Sequence, residues 1–174
     1  MRRSEIKPGM QFVIPLRPRG FAVLVVAKYT PRARILVSYC FGPARHTKPA
    51  ELIKVHPANA SLIARVSDGA LLSGDWHPLG SMHDFDREEW PTERFERRDS
   101  LARRYVVDYD PDDTTLMVST SADSPDHVPD LPSNTLHDPS TLVGELSRLL
   151  DAKELLWQEW IEKRQAEERE NLLD

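Results

Sequence analysis

The residues of this chain best suited to metal binding or proton transfer are histidines and carboxylates, and several lie between positions 77 and 86. His77 and His83, with Asp84 and Asp86, could bring two imidazoles and a carboxylate together, which is a ligand set that zinc accepts. However, their spacing crosses a loop and matches no recurrent ligand pattern such as His-Glu-x-x-His. We therefore predict neither a metal site nor a cofactor.

Patterns typical of nucleophilic catalysis and of nucleotide binding are absent from the sequence. It contains no Gly-x-Ser-x-Gly turn, and its seven glycines form neither Gly-x-Gly-x-x-Gly nor a Walker pattern. The one cysteine, Cys40, lies in an apolar run and is expected to be a small buried hydrophobe. Neighbouring carboxylates such as Glu88 and Glu89 are more typical of a solvated loop than of acid–base chemistry. We therefore predict no catalytic residues and no enzymatic activity.

Charge is distributed unevenly along the chain, although the net charge is only −5. Residues 1–50 contain ten Lys or Arg and a single acid, Glu5, whereas the rest of the chain contains 13 basic and 27 acidic residues. This asymmetry indicates either that two parts of one domain contact each other through opposite charges or that an acidic face binds a basic partner.

The basic first third of the chain makes nucleic-acid binding the alternative function. Arginines there could contact a phosphate backbone, and aromatic side chains could stack on bases. These residues are Arg2, Arg3, Arg17, Arg19, Arg32 and Arg34, with Phe21, Tyr29, Tyr39 and Phe41. The negative charge of the whole chain would repel a polyanion at long range, which argues against nucleic acid as a partner.

Apolar runs rich in β-branched and aromatic residues predict about six to eight strands. The runs lie at residues 7–16, 21–29, 34–41, 62–66, 76–80, 105–109 and 114–120. Pro18 and Gly20 mark a turn between the first two runs, which predicts a β-hairpin, and the second run is rich in valine, as in a strand buried on both faces. Trp76 is expected in the core. We expect loops at 42–49 and at 81–99, the latter acidic, aromatic and exposed.

The end of the chain predicts a long amphipathic helix at residues 140–170. Asp138 can cap this helix, and Pro139 suits its first turn. At 100° per residue, one apolar stripe contains Leu142, Val143, Leu146, Leu149, Leu150, Leu156, Trp157, Trp160 and Ile161. The preceding segment, 121–139, is rich in Pro, Asp and Ser, so we expect it to lack regular structure, either as an ordered crossing or as a mobile linker.

Together these features predict an α+β fold in one domain over residues 1–174, β-rich from 6 to 120. We expect a mainly antiparallel, strongly twisted β-sheet or partial barrel, with the long C-terminal amphipathic helix packed on it. No apolar run approaches the ~18 residues of a membrane span, and no signal peptide is visible. We therefore expect a cytoplasmic monomer without membrane contact.

Two stretches of the sequence form a recognisable pattern. Gly9-Met10-Gln11-Phe12-Val13-Ile14-Pro15-Leu16 is of the kind Gly-Asp-x-Phe-x-Ile-Pro-Leu, with Met10 in place of Asp. Leu71-Leu72-Ser73-Gly74-Asp75-Trp76-His77-Pro78-Leu79-Gly80 is of the kind Leu-x-x-Gly-x-Trp-x-x-x-Gly. With these motifs, residues 6–99 resemble the immunity protein 26 family of bacterial polymorphic toxin systems.

This resemblance implies an antidote that binds and blocks the toxic domain of a cognate toxin and has no reaction of its own. An acidic patch with aromatic anchors would suit a basic toxic domain, because charge accelerates the encounter and buried aromatic residues slow release. The candidate toxin-binding residues are Asp84, Asp86, Glu88, Glu89, Trp90 and Glu93.

Overall fold

The computed structural model describes residues 1–45, 47–101, 103–110, 112–121 and 131–150. Six strands in these ranges form a main sheet: β1 (Met10–Pro15), β2 (Phe21–Thr30), β3 (Ile35–Arg45), β4 (Leu62–Ser67), β5 (His77–Ser81) and β9 (Leu136–His137). Their order across the sheet is β5-β1-β2-β3-β4-β9. Neighbouring strands are antiparallel except β4 and β9, which are parallel.

A second sheet contains three antiparallel strands, β6 (Arg94–Arg98), β7 (Arg104–Tyr109) and β8 (Met117–Ser121), with β7 in the centre. Two α-helices are described, α1 (Gly69–Ser73) and α2 (residues 139–150). Short 3-10 turns occur at Arg3–Glu5, Pro57–Asn59 and Arg87–Glu89. The fold class is therefore α+β and mostly antiparallel, as predicted, with the strands divided between two sheets.

Strand β2 is buried on both faces, as its valine content predicts. Leu24 and Val26 belong to a core cluster with Leu142 and Leu146 of α2. The alternate residue Val25 belongs to a different cluster, on the opposite face of the main sheet. The predicted hairpin is also confirmed, since β1 and β2 are antiparallel neighbours.

Each face of the main sheet has its own cover. Helices α1 and α2 cover one face through the large cluster that also contains Trp76, which is buried as predicted. On the opposite face, Trp90 packs against Tyr39, and further along the same face Val37 packs against Phe95 and Val107 of the second sheet. The main sheet is thus the central layer of the fold.

Helix α2 begins where the sequence predicts. The Asp138 side chain accepts the backbone N–H groups of Ser140 (2.8 Å) and Thr141 (3.0 Å), which is the expected cap. The described helix covers 12 residues, 139–150, so the long helix expected at 140–170 is not shown; residues 151–170 lie outside the described ranges. No helix in the described part of the chain has the length and apolar character needed to cross a membrane.

Two segments predicted to be loops contain strands. The first is 42–49, because β3 continues to Arg45, which pairs with Phe21 at the start of β2. The second is 81–99, which contains β6 and the buried side chain of Phe95. In both segments, pairing with a neighbouring strand gives backbone N–H and C=O groups partners within the protein.

The end of segment 121–139 contains regular structure, although its prolines predict none. Leu136–His137 is the short strand β9, and the peptide N–H of Glu96 in β6 donates to the Pro132 carbonyl at 2.8 Å. Proline lacks a donor but keeps its carbonyl, so it can still accept a hydrogen bond from a strand edge. Residues 122–130 lie outside the described part of the chain.

A buried arginine of β4 connects the two sheets. The Arg65 guanidinium donates to the Tyr109 hydroxyl (2.8 Å), to Asn134 Oδ1 (2.7 Å) and to the Thr114 carbonyl (2.9 Å). It also lies 4.3 Å from the centre of the Tyr109 ring. One cation therefore joins the main sheet, the β7–β8 hairpin and the segment before β9.

We predict that Arg65→Lys lowers the free energy of unfolding by about 2–3 kcal/mol, because an ammonium group cannot reach these acceptors as a planar fork does. Urea unfolding measures this loss. Arg19→Lys, an exposed site in the β1–β2 turn, is the control and should change stability by less than about 0.5 kcal/mol. Equal stability of the two variants would contradict the assigned role of Arg65.

Candidate functional site

The predicted toxin-binding residues lie on one segment, residues 84–93, which we call the acidic segment. It crosses the face of the main sheet opposite α2. Four of its carboxylates, those of Asp84, Asp86, Glu88 and Glu89, are exposed, and Glu93 is half-buried. The sixth predicted residue, Trp90, is only 2% exposed and belongs to the core beneath the segment.

Aromatic packing attaches the acidic segment to the sheet. The Trp90 ring meets the Tyr39 ring edge to face, with centroids 5.0 Å apart, and lies 5.6 Å from the Phe85 ring. The Tyr39 hydroxyl also donates to the Pro91 carbonyl at 2.6 Å. Such aromatic pairs contribute about 0.5–1.5 kcal/mol each beyond the area they bury. Trp90 therefore supports the carboxylates and does not itself present a surface to a partner.

Gly9 provides the space that Phe85 occupies. A Cβ atom at Gly9 would lie 2.8 Å from the Phe85 Cβ, and the φ angle of Gly9 is +82°, a conformation that other residues rarely adopt. The Gly9 carbonyl also accepts the peptide N–H of Met82 at 2.9 Å. The glycine that precedes β1 thus fixes the start of the acidic segment.

A 3-10 turn directs two carboxylates outward. Asp86 begins the turn, and its side chain accepts the N–H of Glu88 at 3.0 Å. The N–H of Trp90 closes the turn on the Arg87 carbonyl at 3.1 Å. Since the turn ends with the Trp90 side chain in the core, Glu88 and Glu89 lie on its solvent side.

The structure adds a second group of carboxylates to this surface. Asp110, Asp112 and Asp113 form what we call the acidic turn, between β7 and β8. Arg87 Nη1 lies 3.3 Å from Asp112 Oδ1, and Lys28 Nζ donates to the Asp110 carbonyl at 2.6 Å. The sequence identifies these aspartates only as a hairpin turn, because the residues that position them lie 25 and 82 positions away.

The cation beneath this surface is Lys28, which is 5% exposed. Burial lowers the pKa of Lys28, the charge of Arg87 lowers it further, and the carboxylates of Glu93, Asp110 and Asp112 oppose this shift. Its hydrogen bond to the Asp110 carbonyl holds the acidic turn against the main sheet. The carboxylates of the segment and the turn therefore form one negative surface above the buried Lys28.

The residues considered for catalysis or metal binding do not come together. Cys40 is fully buried, as predicted, and burial raises the pKa of its thiol to about 12, so the thiol stays protonated at neutral pH. His77 lies in β5, and His83 lies in the turn before the acidic segment. Throughout the ranges that the structure describes, no three His, Cys, Asp or Glu side chains are grouped to hold a metal ion.

The arginines of the two turns that flank β2 do not share one surface. Arg17 and Arg19 lie in the β1–β2 turn, whereas Arg32 and Arg34 lie in the β2–β3 turn. Strand β2 has ten residues, so these two turns are ~30 Å apart at opposite ends of the sheet. The geometry therefore gives no support to a continuous basic groove for a nucleic-acid backbone.

We predict that Gly9→Ala lowers the free energy of unfolding by about 2–4 kcal/mol, because it combines left-handed backbone strain with displacement of Phe85. Gly74→Ala is the matched control: its φ angle is +85°, but no atom lies within 4 Å of the added Cβ, so only the backbone strain of about 1 kcal/mol remains. Chemical denaturation measures both values. A loss for Gly9→Ala no greater than that for Gly74→Ala would show that Phe85 does not depend on this contact.

Comparison with known proteins supports a family assignment. No curated protein and no solved structure matches the chain. Residues 7–107 match the family model described as Immunity protein 26. This match covers more than half of the chain and includes the acidic segment. The chain therefore belongs to the Immunity protein 26 family.

Proposed function

We propose that the chain is an antidote that binds the toxic domain of a cognate bacterial toxin and blocks its working surface. Membership of the immunity protein family is the observation on which this proposal rests. In this account the chain acts as a monomeric single domain in the cytoplasm and catalyses no reaction of its own. Inhibition requires only that the bound antidote cover the residues that the toxin needs.

The acidic segment and the acidic turn are the surface that we propose for binding. Their exposed carboxylates suit a basic toxic domain, because opposite charges accelerate the encounter and orient the two partners. The segment is held by Trp90, Tyr39 and Gly9, so little conformational freedom remains to be lost on binding. A rigid negative surface is therefore available before the partner arrives.

The proposed contact residues differ in part from those expected from sequence. Asp84, Asp86, Glu88 and Glu89 remain as contacts, and Asp112 and Asp113 of the acidic turn join them. The half-buried Glu93 lies at the edge of this surface, close enough to Lys28 to influence its pKa. Trp90 supports the surface from below.

The test uses the purified toxic domain of the cognate toxin, whose gene we expect beside the gene of this chain. We predict that Glu88→Lys in the antidote lowers the rate constant for association of the antidote with the toxic domain about tenfold at low salt. The effect should be smaller at high salt, because salt screens exposed charges. Stopped-flow mixing at several salt concentrations measures this effect. The same variant should protect cells that express the toxic domain less well than the unchanged chain does.

Asp75→Lys is the matched control, because it changes the charge of an exposed side chain by the same amount near α2, on the opposite face of the main sheet. It should leave association almost unchanged. Equal rates for Glu88→Lys and the unchanged chain would remove the acidic segment from the binding surface. No binding of the unchanged chain to the toxic domain would overturn the proposed function itself.

A further inference from the structure

An exposed apolar run adjoins the acidic turn. Leu116, Met117 and Val118 are 54%, 47% and 57% exposed, whereas most large apolar side chains of the two sheets are buried. Leu116 ends the turn, since its carbonyl accepts the N–H of Asp110 at 2.8 Å, and the next two residues begin β8. We call these three residues the apolar edge.

Among the described strands of the second sheet, β8 lies at the edge. Within the described residues it pairs with β7 alone, and a register shift near Asp108 and Tyr109 places Val118 as the extra residue of a β-bulge. Alternate residues of an edge strand direct their backbone N–H and C=O groups away from the sheet. The apolar edge thus presents exposed aliphatic side chains, and the β-bulge at Val118 interrupts the regular backbone pairing that an edge strand would offer to another strand.

The apolar edge is continuous with the proposed binding surface. Asp112 and Asp113 precede it in the same turn, and the ion pair between Arg87 and Asp112 joins this turn to the acidic segment. The proposed binding surface therefore extends from the carboxylates of Glu88 and Glu89 across the acidic turn to β8.

We propose that Leu116, Met117 and Val118 are the apolar anchor of the toxin-binding surface, and that the toxic domain covers them with an apolar patch bordered by basic residues. This inference rests on the proposed function. Exposed charges mainly set how fast partners meet, whereas well-packed apolar contacts set how slowly they separate. Trp90 cannot serve as that anchor because it is buried.

The charged residues beside the apolar edge indicate which kind of partner it suits. The carboxylates beside it complement a basic protein, whereas a second copy of the chain would bring the same negative charge. A basic protein with exposed apolar side chains therefore fits the apolar edge and its surroundings better than a homodimer does.

The test measures dissociation of the same purified toxic domain from the double variant Leu116→Gln/Val118→Thr. If each side chain contributes about a factor of ten, the dissociation rate constant should rise about 100-fold, while the association rate constant changes less than twofold. Leu101→Gln is the matched control: Leu101 is 71% exposed in the β6–β7 turn, at the other end of the second sheet. Its dissociation rate constant should not change.

Hydrogen–deuterium exchange on the unchanged chain provides a second readout that does not depend on how the variant folds. The toxic domain should slow exchange of the amides at 116–120. This inference would be overturned by equal dissociation rates for the double variant and the unchanged chain, or by no protection of the amides at 116–120. In either case, binding of the unchanged chain to the toxic domain would still support the proposed function. A homodimer in sedimentation that the double variant abolishes would also overturn this inference, and a failure of the unchanged chain to bind would overturn both proposals.

Discussion

Burial of β2 on both faces is the constraint on which the rest of the structure depends. Its alternate side chains, such as Leu24 and Val25, belong to separate apolar clusters, so the main sheet needs a cover on each side. Helices α1 and α2 cover one face. The other face is covered by the second sheet and by the acidic segment, whose aromatic residues are apolar enough to pack there.

The same packing explains why the carboxylates of the acidic segment lie on one surface. A segment that covers an apolar face must place its aromatic side chains inward and its carboxylates outward, as Trp90 and Glu88 illustrate. Lys28 and Arg87 then hold the acidic turn beside it. The binding surface that we propose is therefore the outer side of a core layer, and its rigidity comes from the contacts that stabilise the fold.

Local patterns in the sequence predict the hairpin of β1 and β2, the burial of Trp76 and the cap of α2 at Asp138. Strand β6 is not predicted by such patterns, because four of its five residues are charged, as in a solvated loop. Those charges are paired across the sheet, as between Arg94 and Asp108 at 2.8 Å and between Glu96 and Arg104. The role of Trp90 depends on Tyr39, 51 positions away, so spacing along the chain could not distinguish a core residue from a binding anchor.

We propose that a negative, partly apolar surface on the second-sheet side of the molecule covers the working surface of a toxic domain. A crystal structure of the chain with the toxic domain of its cognate toxin is the most direct test. We expect Glu88, Asp112 and Val118 to lie in the interface and α2 to remain outside it. A toxic domain bound over α2, with those three residues exposed to solvent, would contradict this proposal.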